Sequence, residues 1–145
     1  MKEIAETLTI RPPEAADGMA IAHLFSQLGY PAEGGDVTAR LLAPDPASSV
    51  LLASLADKVV GVLVWHRLAP LHVAPAWGLI SALVVDEGAR GAGAGAALLK
   101  GAEQMARAAG CAQLELASSL KREAAHRFYL AQGYQERPKR FIKLL

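Results

Sequence analysis

The fold of this protein is decided by residues 80–110, which read ISALVVDEGARGAGAGAALLKGAEQMARAAG. The run Ile80–Val85 is mostly aliphatic and β-branched, which is typical of a strand buried on both faces of a sheet. From Leu98 to Ala109, apolar and small residues alternate with charged and amide residues at spacings of three and four, which indicates an amphipathic helix. The segment therefore predicts a strand, a glycine-rich loop and a helix in succession.

The loop between the predicted strand and helix has the composition of an anion site. Arg90, Gly91, Gly93 and Gly95 alternate with alanines up to Ala96. The first N–H groups of a helix have no intrahelical acceptor, and the helix dipole places partial positive charge at the same end. Such a terminus binds phosphate groups, and the guanidinium of Arg90 adds a full positive charge. We therefore expect the loop to bind a phosphate.

Two other interpretations of the loop were weighed. Gly91–Ala96 satisfies the dinucleotide pattern G-x-G-x-x-A, and Glu115 follows at about the 20 residues that pattern requires. Asp86–Arg90 separate the glycines from the strand, however, and only thirty residues remain after Glu115. A G-x-x-x-x-G-K-[S/T] motif is absent from the sequence, which excludes a P-loop. The loop could also serve only to let helix and strand pack closely.

Two blocks of the sequence resemble one enzyme family. Arg90–Gly95 matches the [Q/R]-x-x-G-x-[G/A] pyrophosphate loop of the GNAT (Gcn5-related) N-acetyltransferases. Arg122–Tyr134 is similar to the family's A-x-x-F-Y-x-x-x-G-[F/Y] segment, in the same order and at the usual separation. The ending Arg140–Leu145 resembles the branch that includes aminoalkylphosphonate acetyltransferases.

The resemblance implies one α/β (α+β) domain over residues 1–145. Its expected architecture is a mixed, mostly antiparallel sheet of six to seven strands with a splayed central pair and about four helices. The sequence itself predicts a first strand at Leu8–Arg11, a hairpin from Val50 to Trp65 and a final pair of strands after Gly133. Residues 66–72 are interpreted as an irregular passage to the central strand.

Composition limits the class of function. The chain has 145 residues and a net charge of +1, so it lacks the basic footprint of a nucleic-acid-binding protein. The one cysteine, Cys111, excludes a disulfide framework within the chain. No apolar run reaches the ~18 residues of a membrane span, and no signal peptide is evident, so a cytoplasmic protein is expected. His66 and His72 have no metal-ligand spacing with other donors, and no metal is expected.

The resemblance implies acetyl-CoA as co-substrate, with its pyrophosphate on the glycine-rich loop. In the family the pantetheine arm pairs with the splayed central strand, and an N–H of that strand stabilises the charge that develops on the thioester carbonyl. Many relatives carry Asn at the position of Arg122, which puts its contact with the arm in doubt. The binding residues that the resemblance implies are Leu83, Val84, Val85, Arg90, Gly91, Ala92, Gly93, Ala94, Gly95, Ala96, Arg122 and Tyr129.

Direct attack by an amine requires two proton transfers, one from the ammonium and one to the departing thiolate. Tyr129 matches the family tyrosine that serves the thiolate, although Phe128-Tyr129 could also be a core aromatic pair. Many relatives carry a glutamate base on the central strand, where this chain has Ser81 and Ala82.

The base is therefore left open between an ordered water, a histidine and Glu115, which could alternatively form a structural ion pair. The candidate histidines are His72 and His66, and the water route is favoured over any single side chain. Glu33, in the segment that walls the acceptor pocket in the family, is a candidate for holding a cationic amine, and a solvated loop acid is its other interpretation.

The sequence thus predicts an acetyl-CoA-dependent N-acetyltransferase that acts on a primary amine, in the first instance of a small molecule. Peptide N-termini or lysines are the alternative acceptors, and a catalytically silent acyl-CoA-binding module is the alternative outside the enzyme class. A homodimer is common in the family and is expected here, with no nucleic-acid or membrane partner.

Overall fold

The computed structural model of the protein describes residues 7–118, 122–137 and 141–145. Within these ranges lie five strands, β1 (Leu8–Arg11), β2 (Ser48–Leu55), β3 (Lys58–Leu68), β4 (Ala76–Val85) and β5 (Cys111–Leu116). The α-helices are α1 (Gly18–Leu28), α2 (Gly34–Leu42), α3 (Ala94–Ala108) and α4 (Glu123–Ala131). Single turns of 3-10 helix at Ala15–Asp17 and Glu87–Ala89 precede α1 and α3.

The five strands form one sheet in the order β1-β2-β3-β4-β5. The pairs from β1 to β4 are antiparallel, whereas β4 and β5 are parallel. Parallel neighbours need a crossover, and α3 provides it between β4 and β5. The predicted mixed, mostly antiparallel sheet and the predicted four helices are confirmed.

Local sequence explains the sharp turns around this sheet. β2 and β3 are joined by Ala56 and Asp57, whose φ values of 50° and 61° suit the two-residue turn that matches the twist of a hairpin. α1 ends at Gly29, where φ is 101° and the left-handed conformation favours glycine. The hairpin therefore lies where the sequence predicted it.

Helices cover both faces of the sheet. α3 packs its small and leucine residues on one face, with Leu98, Leu99 and Ala102 fully buried against β2, β3 and β4. α1 and α2 cover the other face, where Ile21 and Leu24 are buried with strand residues of β2, β3 and β4. The sheet is thus a layer between two hydrophobic cores, and β4 contributes to both.

β4 is paired with β5 over only part of its length. Their pairing begins at Ala76↔Cys111 and its last pair is Ile80↔Leu116, yet β4 continues to Val85. On its other side β4 stays paired with β3, but the register steps from Trp65↔Ile80 to Val64↔Ala82 and leaves Ser81 in a bulge. The pairing therefore ends where β5 itself ends, at Leu116, and the splay of the central pair stays a prediction.

The prediction of six to seven strands is not matched, because the described residues contain five. Residues 134–137 and 141–145 carry no strand where a final pair was predicted, and residues 138–140 lie outside the described ranges. An apolar run is a strand signal only where one face is buried, and the side chains of Phe141, Ile142 and Leu144 are exposed.

The interpretation of residues 66–72 as irregular is wrong at its beginning. β3 continues to Leu68, and His66 pairs with Ser48 of β2 and Leu79 of β4. A polar ring is tolerated there because both of its nitrogens have hydrogen-bond partners, Ser48 and Ser81.

Candidate active site

The loop after β4 turns the chain from the sheet into α3. Asp86 N–H donates to Val60 O at 2.7 Å, which holds the start of the loop against β3. Gly91 and Gly93 have φ values of 91° and 84°, a backbone conformation that residues other than glycine rarely adopt. α3 then begins at Ala94 with Gly93 as its N-cap.

The side chain of Gln27 in α1 holds the start of the loop after β4 through two hydrogen bonds. Its amide nitrogen donates to Asp86 Oδ1 at 2.7 Å, and its amide oxygen accepts from Glu87 N–H at 3.1 Å. The hydrogen bond from Gln27 is also the main reason why the pKa of Asp86 lies below its usual value. Sequence reasoning missed Gln27, since its partners lie 59 and 60 residues away.

Backbone N–H groups converge at the first turn of α3. Ala92 N–H donates to Ala89 O, and Ala97 N–H donates to Gly93 O. The N–H groups of residues 93–96 between them are those that helix geometry leaves without an intrahelical acceptor. A Cβ built on Gly91 or Gly93 would have no atom within 4 Å, so the space beside these glycines is open. A phosphate can therefore approach the backbone here.

Gly95 has a different reason to be glycine. A Cβ there would lie 3.1 Å from Cζ of Phe128, whose ring packs against the first turn of α3. Gly95 therefore sets the distance between α3 and α4, whereas Gly91 and Gly93 border open space. The family pattern names glycine at position 93 and glycine or alanine at position 95, and the structure gives these two positions different reasons to be small.

The free edge of β4 lies beside this loop. Among the described residues, Leu83, Val84 and Val85 pair with β3 on one side only, because the pairing with β5 ends at Ile80. The peptide groups that face β5 are thus left for another extended partner, since a strand edge presents a row of N–H and C=O groups.

Tyr129 lies on α4 and packs into the core on the α3 face. Its ring centroid is 5.4 Å from that of Phe128 and 6.2 Å from that of Tyr134. Burial raises the pKa of Tyr129, and the positive charge of Arg122 opposes that rise. The phenol is therefore protonated at neutral pH and able to donate.

Arg122 precedes α4 and connects it to α1. Its guanidinium donates to Leu28 O at 2.7 Å, and it thereby satisfies a carbonyl in the last turn of α1. This contact gives Arg122 a structural role in addition to the predicted one at the pantetheine arm.

The other predicted side chains lie apart from each other. Glu115 is exposed on β5 opposite Leu79, within the paired part of the β4–β5 ladder. His72 is exposed in the turn before β4, at the end of that strand opposite to the glycine-rich loop. Glu33 is the exposed N-cap of α2. Of the predicted bases, neither Glu115 nor His72 is joined to Ser81 by a hydrogen bond, whereas His66 is.

A groove of about 450 Å³ follows the outer surface of α3 from its first turn. It is lined by Ala96, Ala97, Lys100, Glu103, Gln104, Arg107 and Gln132. The groove begins at the anion loop and carries two cationic side chains, but it lies away from Ser81. The groove is thus continuous with the glycine-rich loop, and Ser81 is not among its lining residues.

The described ranges contain neither a membrane-spanning helix nor a cluster of metal-binding side chains. None of the described helices is long and apolar enough to cross a membrane. In the same part of the chain no group of three or more His, Cys, Asp or Glu side chains could hold a metal ion.

Comparisons with known proteins agree with this geometry. The sequence model of the Acetyltransferase (GNAT) family matches residues 19–134. An aminoalkylphosphonate N-acetyltransferase from Salmonella typhimurium (strain LT2) is 41% identical over 122 residues, which are 84% of this chain and 78% of the relative.

Solved structures are similar in fold at low sequence identity. An aminoglycoside N-acetyltransferase in complex with CoA superposes with a TM-score of 0.86 at 12% identity, covering 100% of this chain and 99% of the other. An aminoglycoside acetyltransferase from an uncultured soil metagenomic sample, in complex with sisomicin, gives 0.79 at 19% identity, covering 95% and 96%. At these identities the likeness is one of fold.

Proposed function

Because this chain belongs to the GNAT family of acetyltransferases, we propose that it transfers the acetyl group of acetyl-CoA directly to a primary amine of a small molecule. The observation that carries the proposal is the junction of β4 and α3. There, within the described residues, the glycine-rich start of α3 with its unpaired N–H groups follows directly on the part of β4 that is not paired with β5. A ligand with a pyrophosphate and a row of amides matches these two surfaces in that order.

The residues proposed to hold acetyl-CoA are the predicted ones, together with two cationic side chains of α3. The N–H groups of residues 93–96 and the charge of Arg90 bind the pyrophosphate, and the edge of Leu83–Val85 pairs with the pantetheine amides. Lys100 and Arg107, on the groove of α3, supply positive charge for the remaining phosphate of the nucleotide. A main-chain N–H of the β4 edge stabilises the charge on the thioester oxygen, and Tyr129 donates its proton to the departing sulfur.

The acceptor is proposed to be small because of the Salmonella relative named above. The aminoalkylphosphonates of its name are primary amines with an anionic group, and they belong first in a substrate panel. Peptide N-termini and lysine side chains form the second part of the panel.

The test is release of free thiol from acetyl-CoA, followed with each amine of the panel. We expect turnover with at least one small amine and a weaker response to peptides. A folded protein that binds acetyl-CoA but releases no thiol with any amine would favour the silent module over the enzyme.

Three predictions from the sequence belong to the same proposal. A homodimer is checked by light scattering of the purified protein, a cytoplasmic location by fractionation of expressing cells, and a single domain over residues 1–145 by one cooperative unfolding transition.

A further inference from the structure

Three polar side chains on neighbouring strands form one hydrogen-bonded chain. Ser48 Oγ on β2 lies 2.8 Å from His66 Nδ1 on β3, and His66 Nε2 lies 2.7 Å from Ser81 Oγ on β4. Ser48 and His66 are directly opposite in the β2–β3 register. Ser81 reaches the ring because the bulge removes it from the β3–β4 register.

The Ser81 end of this hydrogen-bonded group lies where the pairing of β4 with β5 ends. Ser81 is exposed, and it follows Ile80, the last β4 residue that pairs with β5. The edge proposed to hold the pantetheine arm begins two residues later, at Leu83. The hydroxyl of Ser81 is therefore near the place where the acetyl end of such a ligand meets an acceptor.

We propose that Ser81 and His66 form a proton relay that deprotonates the acceptor amine, with Ser48 holding the imidazole in the required tautomer. The proposal rests on the acetyltransferase function proposed above. With His66 Nδ1–H donating to Ser48 Oγ, the lone pair of Nε2 accepts the hydrogen bond from Ser81 O–H. The lone pairs of Ser81 Oγ are then directed to the acceptor. Ser81 contacts the substrate, and His66 is a positioning residue that receives the proton through it.

The proton balance of the reaction uses this relay once. The acceptor ammonium gives one proton to Ser81 Oγ while Ser81 gives its own to His66 Nε2, and solvent later removes the proton from His66. The amine lone pair forms the C–N bond, the C–S bond breaks with its electron pair on sulfur, and Tyr129 protonates that sulfur. After the C–N bond forms, the nitrogen gives its remaining extra proton to the Tyr129 phenolate. The products are the amide, the free thiol of CoA and one proton released to solvent.

Among the described residues, the hydrogen-bond partners of the His66 ring are the hydroxyls of Ser48 and Ser81. The ionisable side chains on α1 and α2, which cover this face, are His23, Asp36 and Arg40, and Glu115 on β5 is separated from His66 by Leu79. Among the described residues no hydrogen bond or ion pair joins any of them to His66. Arg67, the next residue of β3, donates instead to Ala109 O.

The experiment is the pH profile of kcat/KM for wild type and His66→Gln, with the best amine of the panel. Glutamine can keep a hydrogen bond to a hydroxyl but cannot take up a proton. We expect a loss of about 10²-fold in kcat/KM at neutral pH. The inflection that protonation of the imidazole gives to the wild-type profile should also disappear, so that the rate rises toward the ammonium pKa of the acceptor. The acetyl-CoA dissociation constant should not change.

Ser81→Ala should give the same profile as His66→Gln, and it serves as the second variant if glutamine disturbs folding. Ser49→Ala, beside Ser48, is the matched control outside the relay and should keep the wild-type profile. Ser81→Glu combined with His66→Gln places a carboxylate where the hydroxyl was. It should recover at least about tenfold of the loss, with the inflection moved to about pH 4–5.

A His66→Gln enzyme with the wild-type profile would overturn the relay, and so would a wild-type profile without the inflection. Loss of the inflection in Glu115→Gln but not in His66→Gln would assign the base to Glu115 instead. Each of these outcomes leaves the proposed function standing, since the wild type still turns over. A wild type that binds acetyl-CoA and acetylates no amine would overturn both.

Discussion

At the residue scale, Tyr129 and Tyr134 show how surroundings decide what a phenol can do. Tyr134 O–H donates to Glu103 Oε2 at 3.1 Å, and burial together with that carboxylate raises its pKa far above the ordinary value. The pKa of Tyr129 is raised mainly by burial, and the positive charge of Arg122 acts in the opposite direction. Within the described residues no side chain accepts a hydrogen bond from Tyr129. Of the two phenol protons, that of Tyr129 is therefore the one not already donated to a described side chain.

Replacing Tyr129 by Phe should lower kcat by about 10²-fold, because the ring remains and only the acid is lost. The dissociation constant of acetyl-CoA should stay nearly the same, as measured by calorimetry. Tyr134→Phe is the matched control, since it removes a hydroxyl from the same cluster whose proton is held by Glu103. It should retain kcat and lose some stability instead. Equal turnover of wild type and Tyr129→Phe, with chemistry rate-limiting, would return Tyr129 to a purely aromatic core role.

At the element scale, the start of α3 combines two kinds of glycine. Gly93 borders open space with a positive φ, whereas Gly95 is limited by the ring of Phe128. A bulky residue at position 95 therefore tests the packing of α4 on α3 and says little about ligand binding. Gly93 is the position at which binding can be tested.

Gly93→Val should abolish detectable acetyl-CoA binding, because its side chain would occupy the space of the pyrophosphate. Part of any effect comes from backbone strain, which costs on the order of 1–3 kcal/mol in this conformation. Gly110→Val is the control for that part, because Gly110 has a φ of 81°, an open Cβ position and a place at the far end of α3. Calorimetry that finds unchanged affinity in folded Gly93→Val would contradict the predicted loop. Tight NADH binding by the wild type would instead revive the dinucleotide interpretation.

Gln27 connects α1 to the same loop, and its loss should be felt as weaker binding. Gln27→Ala removes both hydrogen bonds, to Asp86 and to Glu87 N–H, so the loop start loses its support from α1. We expect the acetyl-CoA dissociation constant to rise about fivefold, the effect of roughly one net hydrogen bond. Faster amide exchange at residues 86–89 should accompany it. An unchanged dissociation constant would show that the contact of Asp86 with β3 is sufficient.

At the scale of the whole molecule, an ion pair fastens the first strand to the first helix. Arg11 Nη1 and Nη2 donate to the two carboxylate oxygens of Asp17 at 2.8 and 2.9 Å, and Glu14 N–H donates to Asp17 Oδ2. The hydrogen bond from Arg11 is the main reason why the pKa of Asp17 is lowered in the folded state. The side chain of Asp17 is 12% exposed and that of Arg11 is 32% exposed, so salt screens this pair less than it would a fully exposed one.

This pair should make unfolding depend on pH in a defined range. A carboxyl with a lower pKa in the folded state stabilises the fold above its unfolded value, about 3.9, and that contribution is lost as pH falls through the folded value. Asp17→Asn should lower the free energy of unfolding at pH 7 by about 1.5–3 kcal/mol. Denaturant titrations of both proteins should show the difference shrinking below about pH 4. A difference that is independent of pH would mean that Asp17 acts through its shape alone.

The sequence by itself determined the strand, loop and helix of residues 80–110 and the family, and it predicted the anion site. Each of these depends on residues close together in the chain, such as the glycines of 91–95 or the helical spacing after Leu98. Local periodicity reports the local backbone because the side-chain repeats of helix and strand differ. The candidate tyrosine was likewise found from one short block, although its role stays a prediction.

Only the tertiary structure decided which polar groups meet. The bulge at Ser81 and the continuation of β3 through His66 bring together residues 15 and 18 positions apart. Gln27 reaches the loop across 59 residues, and Phe128 reaches Gly95 from another helix. Strand register and helix packing fix such contacts, and a shift of one residue would turn His66 to the other face of the sheet. That information is held by the whole set of packed elements and not by any one stretch of sequence.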